Sequence, residues 1–166
     1  MHHVCPRGSR KADVFLDDED RQMYLRLLAQ TVRHFGWLCL AYCLIPNHSH
    51  LLLETPKPNL GIGMQWFHGR YGRYFVDRHQ WPGHVFQRPF RSKRVKDDEH
   101  LWTVVPYIAR NPVEAGLCET PDAWAWSSHA GILDGSAPEW VARQRLLEYF
   151  EGLGGVPLER YAAVVG

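Results

Sequence analysis

Apolar and polar positions alternate with helical spacing in two long segments of the chain. Asp17 to Phe35 opens with four acidic residues, which suit the first turn of a helix, and then places apolar residues three and four apart. Leu60 to Asp77 carries a second stripe of this kind, made largely of aromatic residues. The pattern predicts an amphipathic helix in each segment.

Between these helices the pattern changes to a nearly unbroken apolar run. Trp37 to Ile45 shows no helical stripe and is followed by Pro46-Asn47, after which His48 to Glu54 is again apolar apart from its histidines and serine. The run predicts a buried hairpin of two strands. Its turn is expected to lie directly beside the two histidines.

The second half of the chain predicts a strand and then a third helix. Val85 to Val95 alternates between apolar and basic residues, as a strand or extended arm does. Asp97-Asp98-Glu99 then favours the start of a helix that runs from His100 towards Arg110. Pro106 is expected to kink this helix, and Asn111-Pro112 is expected to end its regular part.

The order of these elements favours an α+β fold with helices on one side of an antiparallel sheet. The tail beyond Pro138 contains apolar residues that predict one or two further helices packed on the body. A length of 166 residues suits one compact domain with one active site.

Composition narrows the class of protein. The chain is 45% hydrophobic and 22% charged, as in ordinary globular proteins, and no apolar run reaches the ~18 residues that a membrane helix needs. The start lacks the plan of a signal peptide, and the four cysteines do not form CxxC pairs. We therefore expect a reduced, cytoplasmic protein.

Charge is neutral overall but concentrated locally. A net charge of +1 argues against nucleic-acid binding, yet residues 68–96 hold eight basic side chains against Asp77, which gives 8 − 1 = +7 with histidines neutral. Interleaved aromatic residues would offer flat surfaces to unpaired bases, although a solvated basic face over an aromatic core explains the segment equally well. The predicted DNA-binding residues are Arg70, Arg73, Arg88, Arg91, Lys93 and Arg94.

Two histidines are candidates for metal binding. His48 and His50 are separated by one residue in a predicted strand, so both imidazoles project to the same side. Idle, partly exposed histidines are the alternative. A zinc site that also uses Cys39 and Cys43 is a further possibility, but unpaired cysteines within an apolar run are more often small buried hydrophobes.

A tyrosine and an amide stand four residues apart on the third helix. At this spacing the side chains of Tyr107 and Asn111 can face the same way and meet one target. The alternatives are a packing role for Tyr107 and a helix-stopping role for the Asn111-Pro112 pair.

Four blocks in the same order resemble the single-tyrosine HUH transposases of bacterial insertion sequences, and especially the REP-associated tyrosine transposases. The blocks are residues 3–20, the signature hairpin at 42–52 (YCLIPNHSHLL), residues 97–117 with YIARNPVEAGL, and the Trp-Ser-Ser at 126–128. The residue between the two histidines departs from the usual hydrophobic type, since it is Ser49, which is expected to face the other side of the strand.

The resemblance implies a ferredoxin-like antiparallel sheet with packed helices. It implies metal-dependent cleavage and rejoining of single-stranded DNA through a covalent phosphotyrosine at hairpin-flanked sites. Tyr107 would be the nucleophile, and His48, His50 and Asn111 would bind Mg²⁺ or Mn²⁺. The catalytic domain is expected at residues 1–135, with a helical extension at 136–166, and the protein could be a homodimer or a monomer.

Two other functions remain open. Because Pro106 directly precedes Tyr107, the chain could be a catalytically silent protein that binds DNA hairpins on the same fold. It could also be a metal-dependent nuclease that uses water as the nucleophile.

Overall fold

Four strands form one antiparallel sheet in the order β2, β3, β1, β4. The computed structural model describes residues 1–87 and 89–166, so the predicted DNA-binding residue Arg88 lies outside the described part. Two helices join the strands in the chain order β1, α1, β2, β3, α2, β4, which is the ferredoxin-like arrangement that the resemblance implied. The strands are β1 His2–Cys5, β2 Leu38–Ile45, β3 His48–Glu54 and β4 Arg91–Arg94.

Both long amphipathic helices and the hairpin are confirmed. The Asp17 side chain caps the first helix by accepting a hydrogen bond from the Asp20 backbone N–H at 3.1 Å, and Gly36 ends it in the left-handed region at φ 66°. The helices of the chain are α1 Asp18–Phe35, α2 Leu60–His79, α3 Asp98–Glu114, α4 His129–Asp134, α5 Arg143–Glu148 and α6 Pro157–Val165.

Helices cover both faces of the sheet, so the prediction of helices on one side is wrong. One apolar cluster joins α1 and α2 to one face, through residues such as Leu51 and Leu53 of β3. A second cluster packs helices α3, α4, α5 and α6 on the other face, through Leu52 of β3 and the β2 side chains that point to that face. The reason is that alternate positions of the hairpin are apolar on both sides, and each side must be buried.

Helix α3 continues through Asn111-Pro112, where the sequence predicted its end. The backbone enters the left-handed region only at Gly116, at φ 69°, after the helix has ended. The Leu117 N–H donates to the Pro112 carbonyl at 2.9 Å. Burial of the apolar side of α3 against the second cluster offsets the backbone hydrogen bonds that the prolines remove.

The predicted strand from Val85 to Val95 is much shorter in the structure. Only Arg91–Arg94 forms β4, at the edge of the sheet beside β1, and Phe86 makes an isolated bridge with Gly8. Every residue of β4 is exposed. Apart from β4 and this bridge, the described residues of the segment form no ladder, so the alternation of apolar and basic residues did not mark one continuous strand.

One basic residue of the 68–96 segment is used inside the protein. Arg78, near the end of α2, forms ion pairs with Asp17, Glu19 and Asp20 at 2.7–2.9 Å. Asp20 is fully buried and is also paired with His79 at 3.0 Å. This network joins α1 to α2, so Arg78 does not belong to a free basic surface.

The C-terminal helices pack on α3. Phe150 and Tyr161 belong to the second apolar cluster, and the Trp102 indole N–H donates to the Tyr149 carbonyl at 3.0 Å. His129 Nδ1 lies 2.7 Å from the Tyr161 hydroxyl. Within the described part of the chain, none of the helices has the length and apolar character required to cross a membrane.

Candidate active site

The second strand of the hairpin, β3, places two imidazoles against each other. His48 and His50 are both buried, and their Nε2 atoms lie 3.0 Å apart. Two ligands at right angles on an octahedral ion with bonds of about 2.1 Å would be separated by about 3.0 Å. Tetrahedral zinc would separate them by about 3.3 Å. The observed spacing is close to both values, so the two nitrogens can bind one divalent ion.

Each imidazole is held from behind through its other nitrogen. His48 Nδ1 lies 2.6 Å from Asn47 Oδ1, and His50 Nδ1 lies 2.9 Å from His3 Nε2 on β1. Since an amide oxygen can only accept, His48 carries its proton on Nδ1 and leaves Nε2 with a free lone pair. His3 can hold His50 in the same tautomer, which is the arrangement that metal-binding histidines require.

Burial keeps these imidazoles neutral. Burial, with a smaller effect of the nearby Arg7, lowers the pKa of His48 to about 4. Burial is also the main reason that the pKa of His50 is lowered to about 2, with His48 and His3 adding to the effect. Neutral imidazole is the form that binds metal, so both side chains are ready to bind without losing a proton at neutral pH.

Helix α3 brings Tyr107 to the same place. The Tyr107 ring meets the His50 ring edge to face at a centroid distance of 5.2 Å, and the His3 ring at 5.8 Å. Its side chain is 44% exposed, so the hydroxyl is within reach of a large substrate. Partial burial is the largest cause of a raised pKa, and Arg7 opposes it. The phenol is therefore protonated at neutral pH.

The structure places Asn111 one helical turn beyond Tyr107. Its side chain is buried, and its Oδ1 has no hydrogen-bond partner among the described residues. Leaving such an oxygen unpaired costs about 1–3 kcal/mol, which a bound cation would recover. Asn111 is not among the residues that line the cavity beside Tyr107.

Cys5 is a ligand candidate that the sequence analysis missed. One potential ligand atom from each of Cys5, His48 and His50 lies within 4.8 Å of the others. Burial raises the pKa of the Cys5 thiol, while Arg7 and Arg91 act in the opposite direction. A protonated thiol is a poor ligand for Mg²⁺ or Mn²⁺, whereas the unpaired Asn111 oxygen suits both ions.

A cavity of about 420 Å³ opens in front of the histidines and Tyr107. Arg7, Arg91 and Lys93 line it, so two of the predicted DNA-binding residues stand at the site. Arg70 and Arg73 are exposed on α2, on the other face of the sheet, and the Arg70 guanidinium lies 4.1 Å above the Trp66 ring. Arg94 is exposed at the end of β4.

The zinc site with Cys39 and Cys43 does not form. Cys39 is buried in the cluster with α1 and α2, while Cys43 is buried in the cluster on the opposite face. Burial raises the pKa of each thiol to about 12, so both remain protonated. They act as small hydrophobic residues, which was the alternative interpretation of the sequence.

Ser49 faces away from the site, as the alternation of the strand predicted. Its hydroxyl lies 2.7 Å from the Tyr24 hydroxyl of α1, and both groups are buried. His3 and Asn47 are further site residues that reasoning from residue type did not single out. The signal that could have found His3 is its alternation with Cys5 on β1, which pairs with β3.

Comparisons with known proteins agree with this geometry. The family model of IS200-like transposases matches residues 1–111. A Haemophilus influenzae protein named as a REP-associated tyrosine transposase is 28% identical over 110 residues, which cover 60% of this chain and 62% of that protein. The chain thus matches less than two thirds of the length of this relative.

The fold also matches a solved structure, that of a REP-associated tyrosine transposase bound to a REP hairpin. The TM-score is 0.67 at 16% identity, over 84% of this chain and 81% of the other. At this identity the match shows the fold alone. Because the family model spans the sheet, both histidines and the tyrosine helix as far as Asn111, the chain belongs to the IS200-like transposase family.

Proposed function

We propose that this protein cleaves and rejoins single-stranded DNA in a divalent-metal-dependent reaction, with Tyr107 as the nucleophile. The observation that carries the proposal is the meeting of Tyr107 and His50, whose rings touch at 5.2 Å beside the paired Nε2 atoms of His48 and His50. A nucleophile and a pair of metal ligands then share one cavity, which is the arrangement that phosphoryl transfer by a side chain needs.

The residues present fit a divalent cation. His48 and His50 offer two neutral nitrogens at the right separation, and the unpaired Asn111 Oδ1 offers a neutral oxygen. These donors suit Mg²⁺ or Mn²⁺, and Mn²⁺ accepts imidazole more readily. When bound, such an ion would polarise a phosphate oxygen and favour ionisation of a nearby phenol.

Tyr107 then carries the covalent step. At pH 7 an unperturbed phenol is ionised in about one molecule in a thousand, and the raised pKa of Tyr107 lowers that fraction further. The Tyr107 oxygen forms a bond to phosphorus, the bond from phosphorus to a sugar oxygen breaks, and that oxygen takes up a proton as the phenol loses one. A second strand's hydroxyl reverses these changes, so no energy from outside is needed for rejoining.

Asn47 and His3 position the ligand histidines. Asn47 would accept a hydrogen bond from His48 Nδ1 at 2.6 Å, and His3 would accept one from His50 Nδ1 at 2.9 Å. These bonds would leave the lone pair of each Nε2 free for the ion. His3 also touches Tyr107 edge to face at 5.8 Å. One β1 side chain thus lies against both the ligand His50 and the nucleophile.

The DNA partner is proposed from charge and from the structural relative. Arg7, Arg91 and Lys93 surround the cavity and can neutralise phosphates on either side of the bond that is cut. The solved relative is bound to a REP hairpin, and we extend hairpin-flanked single strands to this chain as its substrate. Residues 1–135 would form the catalytic domain, with 136–166 as a helical extension on α3.

The test is covalent capture of the DNA. Wild type and Tyr107→Phe are incubated with Mn²⁺ and end-labelled hairpins from the DNA that flanks the gene, with and without a chelator, and run on a denaturing gel. We expect labelled protein only for wild type with free Mn²⁺. Hairpin binding without an adduct would favour a silent binding protein, and cleavage that persists in Tyr107→Phe would show that water is the nucleophile.

A further inference from the structure

A second, larger cavity of about 870 Å³ lies between α2 and a segment made of residues 83–87, Pro89 and Phe90. We name it the α2 cavity. Its floor is one face of α2, and its walls include Phe86 and Phe90 from the segment that leads into β4. Nothing in the proposed chemistry at Tyr107 uses this cavity.

His68 gives the α2 cavity a polar group that the described residues leave unpaired. Its Nε2 is buried and has no hydrogen-bond partner among them. The imidazole stacks on Phe86 at 4.4 Å with an interplanar angle of 25°, and Phe90 meets it edge-on at 6.2 Å. A flat ligand group that stacks beside these rings and forms a hydrogen bond with Nε2 would recover the free energy lost by leaving this nitrogen unpaired.

Two glycines of α2 leave the cavity open. A Cβ added at Gly69 or Gly72 would meet nothing within 4 Å, although both residues line the cavity. Gly in the middle of a helix costs about 0.5–1 kcal/mol relative to Ala. Bare backbone at these two positions widens the space at the expense of helix stability, as expected where a ligand approaches a helix closely.

The α2 cavity and the active site flank one chain segment. Phe90 lines the first, and the next residue, Arg91, lines the second. The Gln87 N–H donates to the Arg7 carbonyl at 2.8 Å. The Arg7 backbone in turn forms an isolated antiparallel β-bridge with His48. Two strand spacings, about 10 Å, therefore separate the backbones of Gln87 and His48.

The charges around this segment suit a nucleic-acid strand. β4 is the edge strand, and its alternation places Arg91 and Lys93 towards the active site and Arg94 towards the other face. Arg73 is exposed and lines the α2 cavity. Basic side chains thus lie at both cavities and on both faces of the edge strand.

We propose that the α2 cavity binds an unpaired base of the same DNA strand whose phosphodiester reaches Tyr107, with the strand passing around β4. The aromatic walls would stack the base, His68 Nε2 would bond to its edge, and the basic edge strand would hold the phosphates between. This inference rests on the proposed function, because it assumes that single-stranded DNA lies at Tyr107.

An abasic scan of the DNA tests the proposal without changing the protein. Wild-type affinity is measured by fluorescence anisotropy for a flanking-DNA hairpin with a six-nucleotide single-stranded extension, and for versions with one base removed at each position in turn. We expect one or two positions where removal weakens binding about 5- to 150-fold, the range given by stacking of one base at 1–3 kcal/mol. A flat scan overturns the proposal.

Two substitutions of Gly72 locate the sensitive base. Gly72→Leu should fill the cavity, weaken binding of the intact DNA by the same factor and remove the abasic effect, while Gly72→Ala adds only one methyl group and should weaken binding less. Circular dichroism and thermal melting check the fold of both variants. An abasic effect that persists unchanged in Gly72→Leu would place the base elsewhere and overturn the assignment to this cavity.

Adduct formation at Tyr107 is scored in the same samples. An adduct together with a flat abasic scan would reject the α2 cavity and leave the proposed function standing. If wild type neither binds the hairpins nor forms an adduct, the proposed function and the inference that rests on it both fail.

Discussion

Replacing His3 by phenylalanine removes one hydrogen bond behind a proposed metal ligand and little else. The phenyl ring can keep the edge contact with Tyr107, but it cannot accept from His50 Nδ1, which lies 2.9 Å from His3 Nε2. His50 is 2% exposed, so its Nδ1 proton would be left unpaired at a cost of about 1–3 kcal/mol. Moving the proton to Nε2 would avoid this cost but would block the lone pair that binds metal.

Metal affinity should therefore fall in His3→Phe by about 10- to 100-fold, the usual effect of losing a partner behind a ligand histidine. That range equals about 1.4–2.7 kcal/mol and agrees with the cost of the unpaired proton. Titration of Mn²⁺, followed by the electron paramagnetic resonance signal of the free ion, gives the dissociation constant directly.

A matched control lies one residue earlier on the same strand. His2 alternates with His3 and does not line the active-site cavity, so His2→Phe makes the same change on the other face of β1. Its Mn²⁺ affinity should match wild type. The reasoning is refuted if His3→Phe also binds Mn²⁺ like wild type, or if both variants lose affinity equally, which would indicate general damage to β1.

Two further predictions concern the third ligand and the join between α1 and α2. Asn111→Ala should weaken Mn²⁺ binding at least about 10-fold while Cys5→Ser leaves it unchanged, and the reverse result in the same titration would make Cys5 the third ligand. Arg78→Gln should lower the free energy of unfolding at pH 7 in urea titrations, because the buried Asp20 carboxylate loses a charged partner. Hydrogen bonds, chiefly from Arg78, lower the pKa of Asp17 to about 2. Burial alone would raise the pKa of Asp20, but its hydrogen bonds to His79, Leu16 and Arg78 outweigh burial and lower it. Both carboxylates thus add stability above pH 4, which wild type should lose as the pH falls towards 2; an equally steep loss in the variant would contradict this assignment.

Local pattern was enough to predict the elements that carry the histidines. The hairpin, the face shared by His48 and His50, and the opposite direction of Ser49 follow from a period of two in an apolar run. The start of α1 follows from its acidic cap, and the extents of α1 and α2 follow from helical spacing. These features depend only on neighbours within a few residues.

The rest depended on contacts between distant parts of the chain. Local preference predicted a stop at Pro112, but packing of α3 on the sheet carries the helix on to Glu114. His3 and Cys5 join the site only because β1 pairs with β3, about fifty residues away. The shortness of β4 and the ion pairs of Arg78 with α1 likewise have no local signal.

The central claim is that Tyr107 becomes covalently bonded to DNA, and peptide mass spectrometry tests it most directly. Wild-type protein is incubated with Mn²⁺ and a flanking-DNA hairpin, the DNA is trimmed with nuclease, and tryptic peptides are fragmented in the mass spectrometer. We expect the mass of a nucleotide phosphate on Tyr107, in the peptide of α3 that contains it, and only when Mn²⁺ is present. A nucleotide attached to a different residue, or cleaved DNA with no modified peptide, would contradict the account.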